Sequence, residues 1–154
     1  MSRVQLALRV ADLEASIAFY TKLFGTEPAK LRPGYANFAI TEPPLKLVLL
    51  EGETGEATRM DHLGVEVETT AQVTAATQRL ADQGLDTAVE DDTSCCYAVQ
   101  DKVWVNGPGD EPWEVYVVKA DADVLAKTDD SICCTPGVID TAEGENAAAG
   151  SACC

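Results

Sequence analysis

"VQLALRVADLEASIAFYTKLFG", residues 4–25, decides the fold, because "DHLGVEVETTAQVTAATQRLADQG", residues 61–84, repeats its plan. Each stretch reads as an alternating strand, a turn signal, an amphipathic helix and a stopping glycine, Gly25 or Gly84. In the second helix Val73, Ala76, Leu80 and Ala81 mark one apolar face at helical spacing. Short strands follow each helix: "YANFAI" and "LKLVLLEG" in the first half, "TAVE", "CYAVQDKVWV" and "WEVYVV" in the second. The expected architecture is α+β, with two βαβββ modules at about residues 1–55 and 60–119. Each helix covers one face of its sheet, and the two free faces enclose a cleft.

Alternation along the strands says what lines that cleft. Val4, Leu6, Leu8 and Val10 share the helix-facing side of the first strand, leaving Gln5, Ala7 and Arg9 for the cleft. In the equivalent strand, Leu63, Val65 and Val67 oppose His62, Gly64 and Glu66. In "PWEVYVV", Glu114 and Tyr116 oppose Trp113, Val115 and Val117. Gln5, His62 and Glu114 thus offer an amide, an imidazole and a carboxylate from three strands. This set approximates the two-histidine, one-carboxylate arrangement that leaves positions open on non-haem Fe(II). A lone strand histidine is more often structural than a ligand, but Gln5 and His62 hold the same place in the two halves. The carboxylate does not repeat, because Lys46 stands where Glu114 has its counterpart. One open, three-ligand site is therefore expected, suited to activation chemistry rather than structural metal binding.

The chain has 154 residues and a formal net charge of −15, which argues against nucleic acid and anionic membrane surfaces as partners. No apolar run approaches the length of a membrane span, and the N-terminus reads as a first strand rather than a signal peptide. A cytoplasmic protein with reduced thiols is expected. Residues 120–154 hold seven acids against one base, Lys127, and contain no aromatic residue. They read as a flexible acidic tail, separate from the domain at 1–119.

All six cysteines occur as touching pairs: Cys95-Cys96, Cys133-Cys134 and Cys153-Cys154. Read alone, Cys95 and Cys96 fit small half-buried residues, a vicinal disulfide or a grip on a soft ion. "FYTKLFG", "HLGVEVE" and "NGPGDEPWEVYVV" resemble the vicinal oxygen chelate superfamily, which includes glyoxalase I, extradiol dioxygenases and bleomycin-resistance proteins. The likeness spans residues 3–118. Within it, "RPGYANFAITEPPLKLVLLE" and "DTSCCYAVQDKVWV" are similar to the C–As lyases and to cadmium-induced proteins.

That resemblance implies an Fe(II)- and O2-dependent enzyme that cleaves the carbon–arsenic bond of trivalent organoarsenicals and releases arsenite. It implies metal ligation by Gln5, His62 and Glu114, with His62 and Glu114 catalytic, and arsenical binding by Cys95 and Cys96. Tyr97 and Lys102 are expected to complete the substrate pocket. Gln5 stands where extradiol enzymes usually carry histidine. Two thiolates suit a monoorgano-As(III) centre, which keeps its carbon and exchanges two oxygens for sulfur. Adjacent residues of a regular strand face opposite ways, so the turn-prone "DDTS" is expected to put the pair on a loop edge. The alternative function is sequestration of arsenic or cadmium without turnover, with Cys133, Cys134, Cys153 and Cys154 as further binding thiols. An isomerase of the glyoxalase kind is less favoured because of Lys46. The two modules could pair within one chain or across a homodimer.

Overall fold

A computed structural model describes residues 2–125. The first module comprises β1 (Arg3–Val10), α1 (Leu13–Phe24), β2 (Lys30–Arg32), β3 (Tyr35–Ile40) and β4 (Leu45–Glu51). The second comprises β5 (Arg59–Glu66), α2 (Thr70–Asp82), β6 (Thr87–Cys95), β7 (Ala98–Asn106) and β8 (Pro112–Asp121). The expected α+β fold of two βαβββ modules is present. The strands form one sheet in the order β2-β3-β4-β1-β5-β8-β7-β6, joined where β1 pairs antiparallel with β5. The cleft is thus completed within one chain.

Local chemistry places the helices. Asp12 caps α1 by accepting from the Ala15 amide at 2.8 Å, and Gly25 ends it in the left-handed region at φ 62°. Thr69 and Gln72 form a reciprocal capping box on α2. Under α1 lie Val10, Phe38, Leu47 and Leu49, with Leu6 and Leu8 packed beside them. Under α2, Val73, Ala76 and Leu80 meet Val103 and Val117. Two expected apolar positions are exposed instead: Ala81, and Val4 at 49%. Each lies at the margin of its element's buried face.

The sheet curls. Tyr35 on β3 and Tyr97 after β6 belong to opposite ends of the strand order, yet their rings meet edge to face with centroids 5.4 Å apart. Ala7, Val48 and Leu50 complete this third cluster, on the side of the sheet away from the helices. No helix among the described residues is long and apolar enough to cross a membrane. Strand β8 runs to Asp121, two residues past the boundary expected at 119. The rest of the expected tail, residues 126–154, with Cys133, Cys134, Cys153 and Cys154, lies outside the described residues.

Candidate active site

Gln5, His62 and Glu114 are side by side in the sheet, on β1, β5 and β8. Gly64 pairs with Gln5 on one flank and with Glu114 on the other. It contributes no side chain between them. A Cβ added at Gly64 would lie 3.1 Å from Glu114 Cγ, 3.3 Å from Gln5 Cβ and 3.3 Å from Tyr116 Cε1. A strand glycine commonly marks such a close approach. Here it lets the two flanking side chains meet above it.

Their polar ends converge. Gln5 Nε2 donates to Glu114 Oε1 at 2.7 Å and lies 3.0 Å from His62 Nε2, while His62 Nε2 and Glu114 Oε1 are 3.5 Å apart. All three residues are buried. The amide NH2 therefore stands where a cation would satisfy both acceptors. Rotation of the amide by half a turn would present Oε1 to the same point. Tyr116 OH, now donating to Gln5 Oε1 at 2.5 Å, could then accept from the amide instead. This donor set of imidazole, carboxylate and amide oxygen fits a divalent metal with open positions. No cluster of three His, Cys, Asp or Glu side chains with metal-binding geometry occurs among the described residues. The third donor here is an amide.

A second ring of contacts fixes the first. His62 Nδ1 lies 2.6 Å from Asp61 Oδ1, and Arg9 Nε lies 2.5 Å from Asp61 Oδ2. A partner on Nδ1 leaves Nε2 to point at the cleft. With no cation on Nε2, burial opposes a charge on His62, but its hydrogen bonds to Asp61 and Glu114, and their charges, prevail and hold its pKa up at about 10. A metal at Nε2 would therefore have to displace that nitrogen's proton before the lone pair accepts it. Burial pushes Asp61 up, and His62 and Arg9 outweigh it, holding the carboxyl below its ordinary range. The edge of Trp104 and the His62 ring meet with centroids 5.5 Å apart.

Lys102, expected in the substrate pocket, lies 1% exposed with its Nζ donating to Glu114 Oε2 at 2.7 Å. It serves the carboxylate that the sequence assigned to metal. Tyr116 OH also lies 2.9 Å from Glu66 Oε2, an alternative acceptor for its one proton, and burial followed by the Glu114 charge pushes its pKa up. Lys46, the counterpart of Glu114, pairs with Glu66 at 3.1 Å and lies over the Tyr116 ring. One half of the cleft thus has the Glu114 carboxylate beside Gln5 and His62, and the other a lysine paired with Glu66.

The two thiols meet. Cys95 Sγ and Cys96 Sγ are 3.0 Å apart, Cys95 fully buried and Cys96 partly exposed. The expected turn at "DDTS" is displaced: Asp91–Ser94 belong to β6, where the register shifts between Glu90 and Thr93. The chain reverses instead at Cys96 and Tyr97, both with positive φ, 56° and 58°. Positive φ at both central residues is the signature of a type I′ hairpin turn, usually held by Asn-Gly. This turn breaks the strand alternation between Cys95 and Cys96, so adjacent side chains can face one partner. Its outward amides are satisfied by the segment that follows β8, Cys96 N donating to Leu125 O and Tyr97 N to Val124 O, each at 2.9 Å.

A cavity of about 180 Å³ joins the two clusters. Gln5, His62 and Glu114 line it together with Cys96, Tyr35 and Gln100. Tyr97, expected to touch substrate, is not among its lining residues. Its phenol donates to Pro33 O at 3.0 Å and its ring packs on Tyr35. Sequence reading passed over Asp61, Trp104, Tyr35 and Gln100. Alternation from Lys102 through Gln100 and Ala98 was the available signal for Gln100.

Paired βαβββ modules around a cleft with three convergent polar side chains define a class of metal-dependent and related cleft proteins. This chain belongs to the glyoxalase/bleomycin resistance protein/dioxygenase superfamily, whose family model matches residues 3–117. Among its relatives, a trivalent organoarsenical cleaving enzyme of Thermomonospora curvata is 71% identical over the full length of both chains. A cadmium-induced protein, CadI, of Mycobacterium tuberculosis is 54% identical, covering 100% of this chain and 93% of its own. An extradiol ring-cleaving dioxygenase from B. fuscum superposes with a TM-score of 0.58 at 21% identity, over 79% of this chain and 34% of its own. That superposition shows the shared fold.

Proposed function

We propose that this protein cleaves the carbon–arsenic bond of trivalent organoarsenicals, such as methylarsenite and trivalent aromatic arsenicals, and releases arsenite. The observation that carries this reading is one cavity lined by both a soft thiol and the convergent Gln5, His62 and Glu114 set. The full-length likeness to an organoarsenical cleaving enzyme supports it. Gln5, His62 and Glu114 would hold Fe(II), which when bound would supply the activation of O2. Asp61 keeps His62 Nε2 toward the metal, and Lys102 and Tyr116 fix Glu114 and Gln5. Cys95 and Cys96 take the arsenic as a bis-thiolate, which turns the organic group into the cavity. The apolar wall of Tyr35 and Val48 excludes water around that group. For methylarsenite, one O2 balances the reaction to arsenite and formaldehyde, the carbon being oxidised and arsenic remaining trivalent.

The test is anaerobic loading with Fe(II), addition of methylarsenite, and measurement of oxygen uptake beside arsenite release on admission of air. Equal amounts of each are expected. Bound arsenical without oxygen uptake or arsenite would favour sequestration, the reading to which the cadmium-induced relative lends weight. The protein is further read as cytoplasmic, with O2 and the arsenical as its small-molecule partners. A homodimer is compatible with this reading, although one chain already completes the cleft.

A further inference from the structure

Gln100 lies on the cleft face of β7, 4% exposed, and lines the same cavity as Cys96. Its Nε2 donates to Cys95 O at 3.1 Å. That bond fixes which way the amide faces, because turning it over would set oxygen against oxygen. Oε1 is therefore directed away from the Cys95 carbonyl. It has no hydrogen-bond partner among the described residues. A buried acceptor left in this state carries a desolvation cost that nothing in the protein offsets. The register of β6 and β7 adds a second point, since Gln100 pairs with Thr93 and Cys95 with Ala98. The amide is thus built onto the hairpin that carries both thiols, with two residue pairs between it and the turn.

We infer that Gln100 is a substrate-positioning residue, whose Oε1 accepts a hydrogen bond from an arsenic-bound hydroxyl while Cys95 and Cys96 exchange onto the arsenic. This rests on the thiol-capture reading above. A monoorgano-As(III) acid enters with two hydroxyls. In the first exchange one As–O bond breaks and one As–S bond forms, and the thiol proton leaves with the departing hydroxyl as water. The half-captured species keeps one As–OH. When that hydroxyl donates to Gln100 Oε1, its oxygen becomes more basic and accepts the second thiol's proton more readily. It then leaves as a second water, and the bis-thiolate closes. Arsenic stays trivalent throughout, so no oxidant or reductant is needed. The amide also keeps the half-captured arsenic over the second sulfur, where a freely turning hydroxyl would not.

The experiment uses the iron-free full-length chain with Cys133, Cys134, Cys153 and Cys154 replaced by serine, so that only Cys95 and Cys96 report. Capture of methylarsenite is followed by stopped-flow, and reaction with an aromatic disulfide reagent, which carries no As–OH, is followed on the same samples. Gln100→Met should slow arsenical capture roughly tenfold, the kinetic equivalent of one hydrogen bond, and leave the disulfide reaction unchanged. Should methionine prevent folding, Gln100→Asn keeps an amide and withdraws its oxygen by one methylene, with the same expectation. Equal slowing of both reactions would overturn the inference, because Gln100 would then only brace the thiol hairpin. Unchanged capture would overturn it as well. Failure of the parent protein to capture methylarsenite would instead bring down the thiol reading, and this one with it.

Discussion

Asp61 and His62 are consecutive residues, yet Asp61 Oδ1 lies 2.6 Å from His62 Nδ1. A regular strand would send them to opposite faces. In β5 the register passes from Ala7–His62 to Leu8–Met60, so Asp61 is the unpaired residue of a bulge, and the local kink brings its carboxylate to the imidazole. A carboxylate on the far nitrogen of a ligating histidine sets its tautomer and raises its basicity. Asp61→Ala should weaken Fe(II) affinity by roughly 10–100-fold, while arsenical capture by the iron-free protein stays unchanged. A chelator competition titration measures the first and thiol titration the second. Unaltered iron affinity would show that the bulge serves packing alone.

The metal and thiol clusters should separate by mutation. His62→Ala should lose iron and carbon–arsenic cleavage and still bind methylarsenite. Glu114→Gln is the better probe of the carboxylate, because alanine would leave the Lys102 ammonium, 1% exposed, without its 2.7 Å partner. Breaking such a pair costs about 3–5 kcal/mol and would confuse folding with function. Cys95→Ser and Cys96→Ser should keep iron and lose arsenical binding. Iron content and arsenical stoichiometry, measured separately on each variant, give the pattern. An iron-free His62 variant with normal turnover would remove the metal from the mechanism.

Gly64→Ala tests the space between Gln5 and Glu114. Its new methyl would come 3.1 Å from Glu114 Cγ and 3.3 Å from both Gln5 Cβ and Tyr116 Cε1, so those side chains would have to give way. The expected cost is about 1–3 kcal/mol, seen as a lower Tm, together with reduced iron retention. A variant as stable and as iron-loaded as its parent would mean that the three side chains need no such proximity.

The repeat, the helix stops and the cleft-facing positions were legible because period-two alternation and glycine stops are local signals. Gln5, His62 and Glu114 followed from alternation alone. The thiol turn did not, since Cys96 and Tyr97 carry positive φ without the Asn or Gly that would announce it. "DDTS" misdirected the turn because Asp92, although also at positive φ, occupies an irregularity inside β6. Tyr97 and Lys102 were assigned to the pocket with the motif "DTSCCYAVQDKVWV" that carries the family resemblance. In the fold, their polar ends are committed to Pro33 and Glu114. The Asp61 bulge breaks the very alternation on which the reading depended.

Asp101 faces α2 rather than the cleft. Its carboxylate accepts from Thr70 Oγ1 at 2.6 Å, from the Asp92 amide at 2.9 Å and from Lys119 Nζ at 3.0 Å. Burial pushes its pKa up, but these bonds prevail and hold it below the ordinary carboxylate range. A depressed folded pKa contributes stability that is present above the unfolded value, about 3.9, and lost as pH falls through the folded one. Asp101→Asn should therefore cost about 1–3 kcal/mol at neutral pH, with the gap to the parent narrowing below about pH 4. Urea titrations at several pH values read this directly. A gap that stays constant into acid would assign the effect to shape rather than charge.

Where the chain can be cut is set by the thiol turn. Ala122 N donates to Tyr97 O at 3.0 Å, and the Val124 and Leu125 carbonyls accept from the Tyr97 and Cys96 amides. Leu125 also packs on the cluster that holds Tyr35 and Tyr97. A chain ending at residue 125 retains all of these contacts, and it should keep full stability and the turnover rate at saturating substrate. A chain ending at residue 119 leaves two amides of a positive-φ turn without acceptors. Such a turn already holds non-glycine residues at a cost of about 1–2 kcal/mol each. The shorter chain should lose a further 1–3 kcal/mol, on the order of one unsatisfied group, and its arsenical affinity should fall with the order of the Cys95-Cys96 pair. Hydrogen exchange at the Cys96 and Tyr97 amides would report the loosening directly. Equal exchange and equal arsenical binding in the two truncations would show that the hairpin holds its thiols together without help from residues 120–125.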